Sequence, residues 1–130
     1  MTKFSYILTL YILALLCFGC RQNQDSLKHA KLLGSQSAYV GEPMDPDAAK
    51  YEKLASSDKV KIENREHYMI LTTWYIVNAC GNCIPNLDVR NDTINLIYKE
   101  TSEELCMSLS IEEVTYFIDN RNEKNWVVIK

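Results

Sequence analysis

The segment Asn86–Tyr98, NLDVRNDTINLIY, carries the strongest local structural signal in the chain. Asn and Asp tolerate the positive φ angles of a tight turn, so a two-residue turn is predicted at Asn91-Asp92. Cross-strand partners would then be Arg90 with Thr93, Val89 with Ile94, Asp88 with Asn95, and Leu87 with Leu96. The apolar pairs lie on one face and the polar pairs on the other, and moving the turn by one residue destroys this sorting. The segment therefore predicts a β-hairpin with one buried face.

The sequence before this hairpin is also typical of strands. Residues 59–79, KVKIENREHYMILTTWYIVNA, are rich in Val, Ile, Thr, Tyr and Trp. Between Tyr68 and Val77 both alternating faces are largely apolar, which predicts a strand covered on both sides.

The segment Cys106–Asp119, CMSLSIEEVTYFID, favours a strand over a helix. Apolar residues first occupy alternate odd positions, Met107, Leu109 and Ile111. They then occupy alternate even positions, Val114, Tyr116 and Ile118. One extra residue near Glu112-Glu113 would make this a strand with a β-bulge. The alternative is a helix opening at Ser110 with Glu113 completing a capping box. Crowded β-branched and aromatic residues favour the strand.

The remaining elements complete the fold prediction. Asp45 or Asp47 would cap a short helix with Pro46 in its first turn, and WVVIK at residues 126–130 would form a final strand. Together these elements predict a mainly β domain over residues 45–130. We expect a small antiparallel β-sandwich or barrel-like domain with one short N-terminal helix.

The start of the chain predicts export and anchoring. Lys3, an apolar run from Tyr6 to Cys17 and a small-residue exit indicate a signal peptide over residues 1–19. Gly19-Cys20 resembles the lipobox of bacterial lipoproteins, although Cys17 stands where that motif usually has an aliphatic residue. The resemblance implies lipidation of Cys20, and an ordinary cleaved signal peptide is the alternative. Residues 20–44, polar and broken by glycine and proline, are expected to form the lipidated cysteine and a flexible tether.

Charge and cysteine content limit the classes of function. The chain has 14 Lys and Arg against 17 Asp and Glu, a net charge of -3, with no basic stripe, so nucleic acid is not an expected partner. Of the five cysteines, Cys17 would leave with the signal and Cys20 would carry lipid. Cys80, Cys83 and Cys106 would remain outside the cytoplasm, where disulfides persist, and would form one disulfide and one spare thiol.

The three remaining cysteines allow three interpretations. The favoured one is a structural disulfide from Cys83 to Cys106, with Cys80 as the alternative partner. Its loop would stabilise the fold by roughly 3 to 3.5 kcal/mol. The Cys80/Cys83 pair is also compatible with a periplasmic thiol–disulfide redox protein, but that chemistry needs a helix after the motif, and a strand is predicted there. A zinc site that adds His67 to the cysteines is the third hypothesis.

The sequence favours a binding or structural role over catalysis. Only His29 and His67 are present, and neither is marked as part of a nucleophilic site. Adjacent glutamates at 103-104 and 112-113 would face opposite sides of a strand and are expected to be solvated. No cofactor motif or metal site is expected. Five aromatic residues are candidates for an exposed patch that binds a partner or glycan: Trp74, Tyr75, Tyr98, Tyr116 and Trp126. For most of these five residues, packing in the core is expected instead.

Several segments together resemble small envelope lipoproteins of Bacteroidota, over residues 66–130. The segments are YIVNACGNCIPNLDV, DTINLIY, EELC and VTYFIDNRNEKNWVVIK. They match a GNC-x-P turn, a later cysteine strand and a C-terminal Y-x-I-x-N hairpin. The resemblance implies a β-rich envelope domain and no catalytic residues.

The resemblance also implies modification sites, partners and a location. Asp92-Thr93-Ile94 and Asp25-Ser26-Leu27 look like the O-glycosylation acceptor of these bacteria, which would place glycans on Thr93 and Ser26. The expected partners are the lipid bilayer, through the acyl anchor, and an envelope protein or glycan. Arg21 follows Cys20 where inner-membrane retention in enteric bacteria uses Asp, so the outer membrane is favoured over the inner membrane.

Overall fold

The computed structural model describes residues 29–103 and 105–130. The expected signal peptide over 1–19, the expected lipidation at Cys20 and the acceptor Ser26 lie outside the described residues. The strands are β1 (Leu32–Gly41), β2 (Lys61–Asn64), β3 (Tyr68–Asn78), β4 (Cys83–Arg90), β5 (Thr93–Glu100), β6 (Leu109–Asp119) and β7 (Val127–Ile129). A 3-10 helix (Pro46–Ala48) leads into the helix α1 (Ala49–Ala55). Among the described residues, no helix has the length and apolarity needed to cross a membrane.

Two open sheets form the domain, which confirms the predicted mainly β, sandwich-like fold. A four-stranded sheet has the order β1-β6-β3-β2, and a three-stranded sheet has the order β4-β5-β7. Neither sheet closes on itself, so the barrel-like alternative does not hold. The shared core is made of apolar residues from both sheets, namely Met69, Leu71, Leu87, Ile94, Leu96, Val114, Tyr116 and Ile118.

The predicted hairpin is confirmed residue by residue. Strands β4 and β5 pair Arg90 with Thr93, Val89 with Ile94, Asp88 with Asn95 and Leu87 with Leu96. Asn91 has a φ of 53°, the positive angle that the turn requires. The pairing continues beyond the predicted segment to Cys83 and Glu100. Pro85 is tolerated within β4 because β4 is an edge strand.

The predicted strand over the 107–118 segment is confirmed as β6, but the predicted bulge in it is wrong. Strands β3 and β6 pair without interruption from Tyr68–Asp119 to Asn78–Leu109. Two irregularities lie instead in the neighbouring pair of β1 with β6, where Val40 is the extra residue between Tyr39 and Gly41, and Leu33 is the extra residue between Leu32 and Gly34. The change of parity arises because β6 is a central strand with apolar residues on both faces: Ile111 is buried on one face, and Val114 and Tyr116 are buried on the other. Met107 precedes the strand and is fully exposed.

The expected tether over residues 20–44 is wrong in its second half, because Leu32–Gly41 is the strand β1. Its polar composition, interrupted by Gly34 and Gly41, is typical of a linker. An edge strand, however, needs only its backbone to pair with β6 and can leave polar side chains in solvent. The domain therefore begins before residue 45.

The predicted cap of the helix is confirmed, whereas the predicted antiparallel pairing fails for the last strand. The Asp45 side chain accepts a hydrogen bond from the Asp47 N–H at 3.0 Å, with Pro46 in the first turn, as the capping pattern predicted. Strand β7 pairs parallel to β5, so the expectation of a purely antiparallel domain fails for this pair. The parallel pairing arises because the chain crosses from β6 in one sheet to β7 in the other before pairing.

Candidate functional site

The disulfide joins Cys80 to Cys106, so the favoured pairing through Cys83 is wrong and the alternative partner is the correct one. The two Cα atoms lie 5.6 Å apart and the residues are 26 positions apart in the sequence. Cys83 is the first residue of β4 and pairs with Glu100 in the other sheet. Cys80 instead follows β3, whose end pairs with the start of β6, and this pairing brings Cys106 beside it.

Asn78 organises the residues around the disulfide. Its side-chain oxygen accepts hydrogen bonds from the backbone N–H groups of Cys80 at 3.0 Å and Cys106 at 3.1 Å, and its amide donates to the Cys106 carbonyl. One side chain therefore holds both cysteines in place from the last position of β3. Sequence analysis missed this role, and the only local signal was an Asn two residues before the first cysteine of the motif.

The Cys83 thiol is free and half-buried. Burial raises its pKa, and the negative charges of Glu100 and Glu112 raise it further. A reactive cysteine needs the opposite environment, which lowers the thiol pKa and favours the thiolate. The arrangement can therefore hold a disulfide but does not activate the neighbouring thiol.

A cluster of three tyrosines and one glutamate lies between the sheets near these cysteines. The Tyr98 hydroxyl donates to the Glu112 carboxylate, and the Tyr75 and Tyr98 ring centroids are 5.2 Å apart. The Tyr116 hydroxyl donates to the Ile97 carbonyl at 2.9 Å. Burial is the main cause that raises the pKa of Tyr98 and of Tyr116. Both phenols are therefore neutral hydrogen-bond donors that connect the two sheets.

The five aromatic candidates do not form one exposed patch. Tyr116 is fully buried, and Tyr75, Tyr98 and Trp126 pack against the core, as expected for most of them. Trp74 alternates to the opposite face of β3 and donates from Nε1 to Glu113 at 3.0 Å.

The expectation that the glutamates at 112 and 113 are solvated is wrong. Both side chains accept hydrogen bonds from aromatic residues, and both residues are partly buried. Because Glu112 accepts from Tyr98 and Glu113 from Trp74, they do act on opposite faces of β6, as alternation predicted.

The other predicted site residues lie apart from this cluster. His67 is exposed, with Nε2 3.7 Å from the Glu66 carboxylate. Over residues 29–103 and 105–130, no three His, Cys, Asp or Glu side chains are grouped so that they could hold a metal ion. Thr93 is the first residue of β5, follows the hairpin turn and is half-buried.

No family model, curated protein or solved structure matches this chain.

Replacing Tyr116 with phenylalanine should lower the free energy of unfolding by about 1 kcal/mol, because the Ile97 carbonyl loses a buried donor. The matched control is Tyr75→Phe, since the Tyr75 hydroxyl is 3.3 Å from that of Tyr116 and makes the weaker contact. Chemical denaturation of both variants measures the difference. Equal stability of Tyr116→Phe and the unmodified protein would contradict a stabilising role for this hydrogen bond.

Proposed function

We propose that this chain is a lipid-anchored lipoprotein of the bacterial cell envelope whose disulfide-stapled β domain has a binding or structural role. The observation that carries the proposal is the disulfide between Cys80 and Cys106, which ties the end of β3 to the segment that leads into β6. Disulfides persist in compartments outside the cytoplasm. This agrees with the signal peptide expected over residues 1–19.

Lipidation of Cys20 would place the domain at a bilayer. One acyl chain gives only marginal membrane binding, whereas two or more give stable anchoring. The domain would then face an envelope protein or glycan at the membrane surface, with the outer membrane as the favoured location. Strand β1 begins at Leu32, so the stretch between the anchor and the folded domain is short.

A non-redox role is supported by the surroundings of Cys83. The residues that follow it form the strand β4 rather than a helix, and a helix dipole is what lowers the thiol pKa in a C-x-x-C redox site. Glu100 and Glu112 act in the opposite direction and raise the pKa of the Cys83 thiol. The alternative function, a periplasmic thiol–disulfide redox protein, is thus less well supported.

Alkylation of Cys83 with iodoacetamide tests this distinction. We expect the folded protein to react more slowly than a small-molecule thiol at pH 8, with a rate that keeps rising towards higher pH, because only the thiolate reacts and the pKa is raised. Glu100→Gln removes one of the two negative charges and should increase the rate. Rapid alkylation below pH 7 would support the redox alternative instead.

Subcellular fractionation of a bacterial host tests the anchor. The unmodified chain should be found in the membrane fraction and should incorporate radiolabelled palmitate, whereas Cys20→Ser should lose the label because it lacks the thiol that is acylated. Cys83→Ser is the matched control, because it replaces a free cysteine of the folded domain, away from the expected lipobox, and should leave the palmitate label intact. Palmitate incorporation that persists in Cys20→Ser would contradict the proposal.

A further inference from the structure

A groove beside α1 brings three lysine side chains together. It has a volume of about 350 Å³ and is lined by Lys50, Lys53, Leu54, Ser57 and Lys59. Lys50 and Lys53 are three residues apart on α1 and therefore neighbours on the helix surface. The Ser57 hydroxyl donates to the Leu54 carbonyl at 2.8 Å and accepts from the Lys59 N–H at 3.4 Å. These bonds fix the backbone that carries the third lysine to the groove.

The three ammonium groups that line the groove are not held in direct ion pairs. Within the described part of the chain none of them forms an ion pair, whereas Lys61, Arg65, Arg90, Arg121 and Lys124 each do. The Glu52 carboxylate, which belongs to the same helix, accepts a hydrogen bond from the Met44 N–H at 3.0 Å. Three lysines line the groove and two carboxylates, Glu52 and Asp58, are their neighbours in the sequence, so the groove has a local excess of positive charge in a chain with a net charge of -3.

The simplest structural explanation for lysines here is stabilisation of the helix C-terminus, but another residue already has that role. Lys130 donates from Nζ to the carbonyls of Ala55 and Ser57, the latter at 3.0 Å, and burial lowers its pKa. These contacts satisfy carbonyls at the end of α1. Stabilisation of the helix C-terminus therefore does not by itself account for the lysines that line the groove. Lys50 Nζ also lies 4.4 Å from the Tyr51 ring centroid, which restricts its position.

We propose that this groove binds a phosphate group attached to a small polyol such as glycerol or a sugar. Ammonium groups donate charge-assisted hydrogen bonds to phosphate oxygens. Leu54 and the aliphatic stems of the lysines supply an apolar wall for the carbon skeleton. The volume is near the lower end of the range for small-molecule sites, which suits a ligand of this size. The inference rests on the proposed binding role and names its ligand class, and the phosphate can come from a lipid headgroup or from a soluble ester.

Two binding assays on residues 21–130, exported behind a signal peptide that is cleaved without lipidation, test the proposal without the expected anchor. The first is a titration with sn-glycerol 3-phosphate followed by backbone amide chemical shifts. The second is co-sedimentation with phosphatidylcholine vesicles that contain or lack phosphatidylglycerol. Each assay compares a groove variant, Lys50→Gln with Lys53→Gln and Lys59→Gln, with a control variant of equal charge change, Lys61→Gln with Arg90→Gln and Lys99→Gln.

We expect saturable binding in at least one assay, with a Kd that rises about tenfold or more in the groove variant and changes little in the control variant. A groove-dependent effect with glycerol 3-phosphate identifies a soluble ester, and one with phosphatidylglycerol vesicles alone identifies a lipid headgroup. No saturable binding in either assay, or equal weakening in both variants, would overturn the proposal. Because neither assay depends on acylation, failure here would leave the fractionation test of the anchor unaffected.

Discussion

Replacement of Cys106 by serine is expected to lower the free energy of unfolding by about 3.5 kcal/mol, the loop-entropy value for a bridge between residues 26 positions apart. The reduced chain gains conformational freedom when it unfolds, whereas the folded sandwich keeps most of its contacts. Domains of this size typically have only about 5 to 15 kcal/mol of stability, so the loss is a large fraction of the total. The midpoint of thermal unfolding should fall by roughly 15 °C or more.

Three variants and one reagent make this test specific. Cys80→Ser should match Cys106→Ser, because each removes the same bridge. Cys83→Ser is the control and should unfold close to the unmodified protein, since Cys83 carries the free thiol. A reducing agent should destabilise the unmodified protein and leave Cys106→Ser unchanged. If Cys83→Ser were the most destabilised variant, the pairing of Cys80 with Cys106 would be wrong.

Replacement of Gly41 by alanine is expected to destabilise the domain by about 2 to 4 kcal/mol, through overpacking and backbone strain together. Gly41 ends β1 with a φ of 150°, an angle that residues with a side chain rarely adopt. An added Cβ would lie 2.4 Å from the Ala48 Cβ, well inside the sum of the atomic radii. Ala48 is itself buried and cannot move into solvent.

Gly34→Ala is the matched control for this substitution in the same strand. A Cβ at Gly34 would meet only the Phe117 ring edge at 3.9 Å, an ordinary contact, so stability should change little. The double variant Gly41→Ala with Ala48→Gly should recover the part of the loss that comes from overpacking. Denaturant unfolding measures all three variants. Equal effects of Gly34→Ala and Gly41→Ala would show that the close approach of β1 to the 3-10 helix has no energetic role.

Local patterns predicted the parts of the fold that depend on neighbours in the sequence. The hairpin around Asn91 was predictable because its turn residues and its apolar sorting lie within a few positions of each other. The cap at Asp45 was predictable for the same reason. Alternation also placed Glu112 and Glu113 on opposite faces of β6.

The features that the sequence patterns did not predict depend on contacts between residues far apart in the chain. The residues of β1 show no apolar alternation. They form a strand because their backbone groups pair with those of β6. The choice of Cys80 over Cys83 follows from the pairing of β3 with β6, which no local pattern encodes. The hydrogen bonds of Glu112 and Glu113 likewise depend on partners at least fourteen residues away.

Non-reducing peptide mass spectrometry of the protein purified from a bacterial envelope tests the central claim most directly. Free thiols are alkylated before digestion, so that one sample reports the state of Cys20, Cys80, Cys83 and Cys106. The account predicts a diacylglyceryl group on an N-terminal Cys20, a peptide that joins Cys80 to Cys106, and an alkylated Cys83. A Cys80–Cys83 bridge with a free Cys106 would contradict the stapled domain, and an unmodified Cys20 within an uncleaved chain would contradict the envelope anchor.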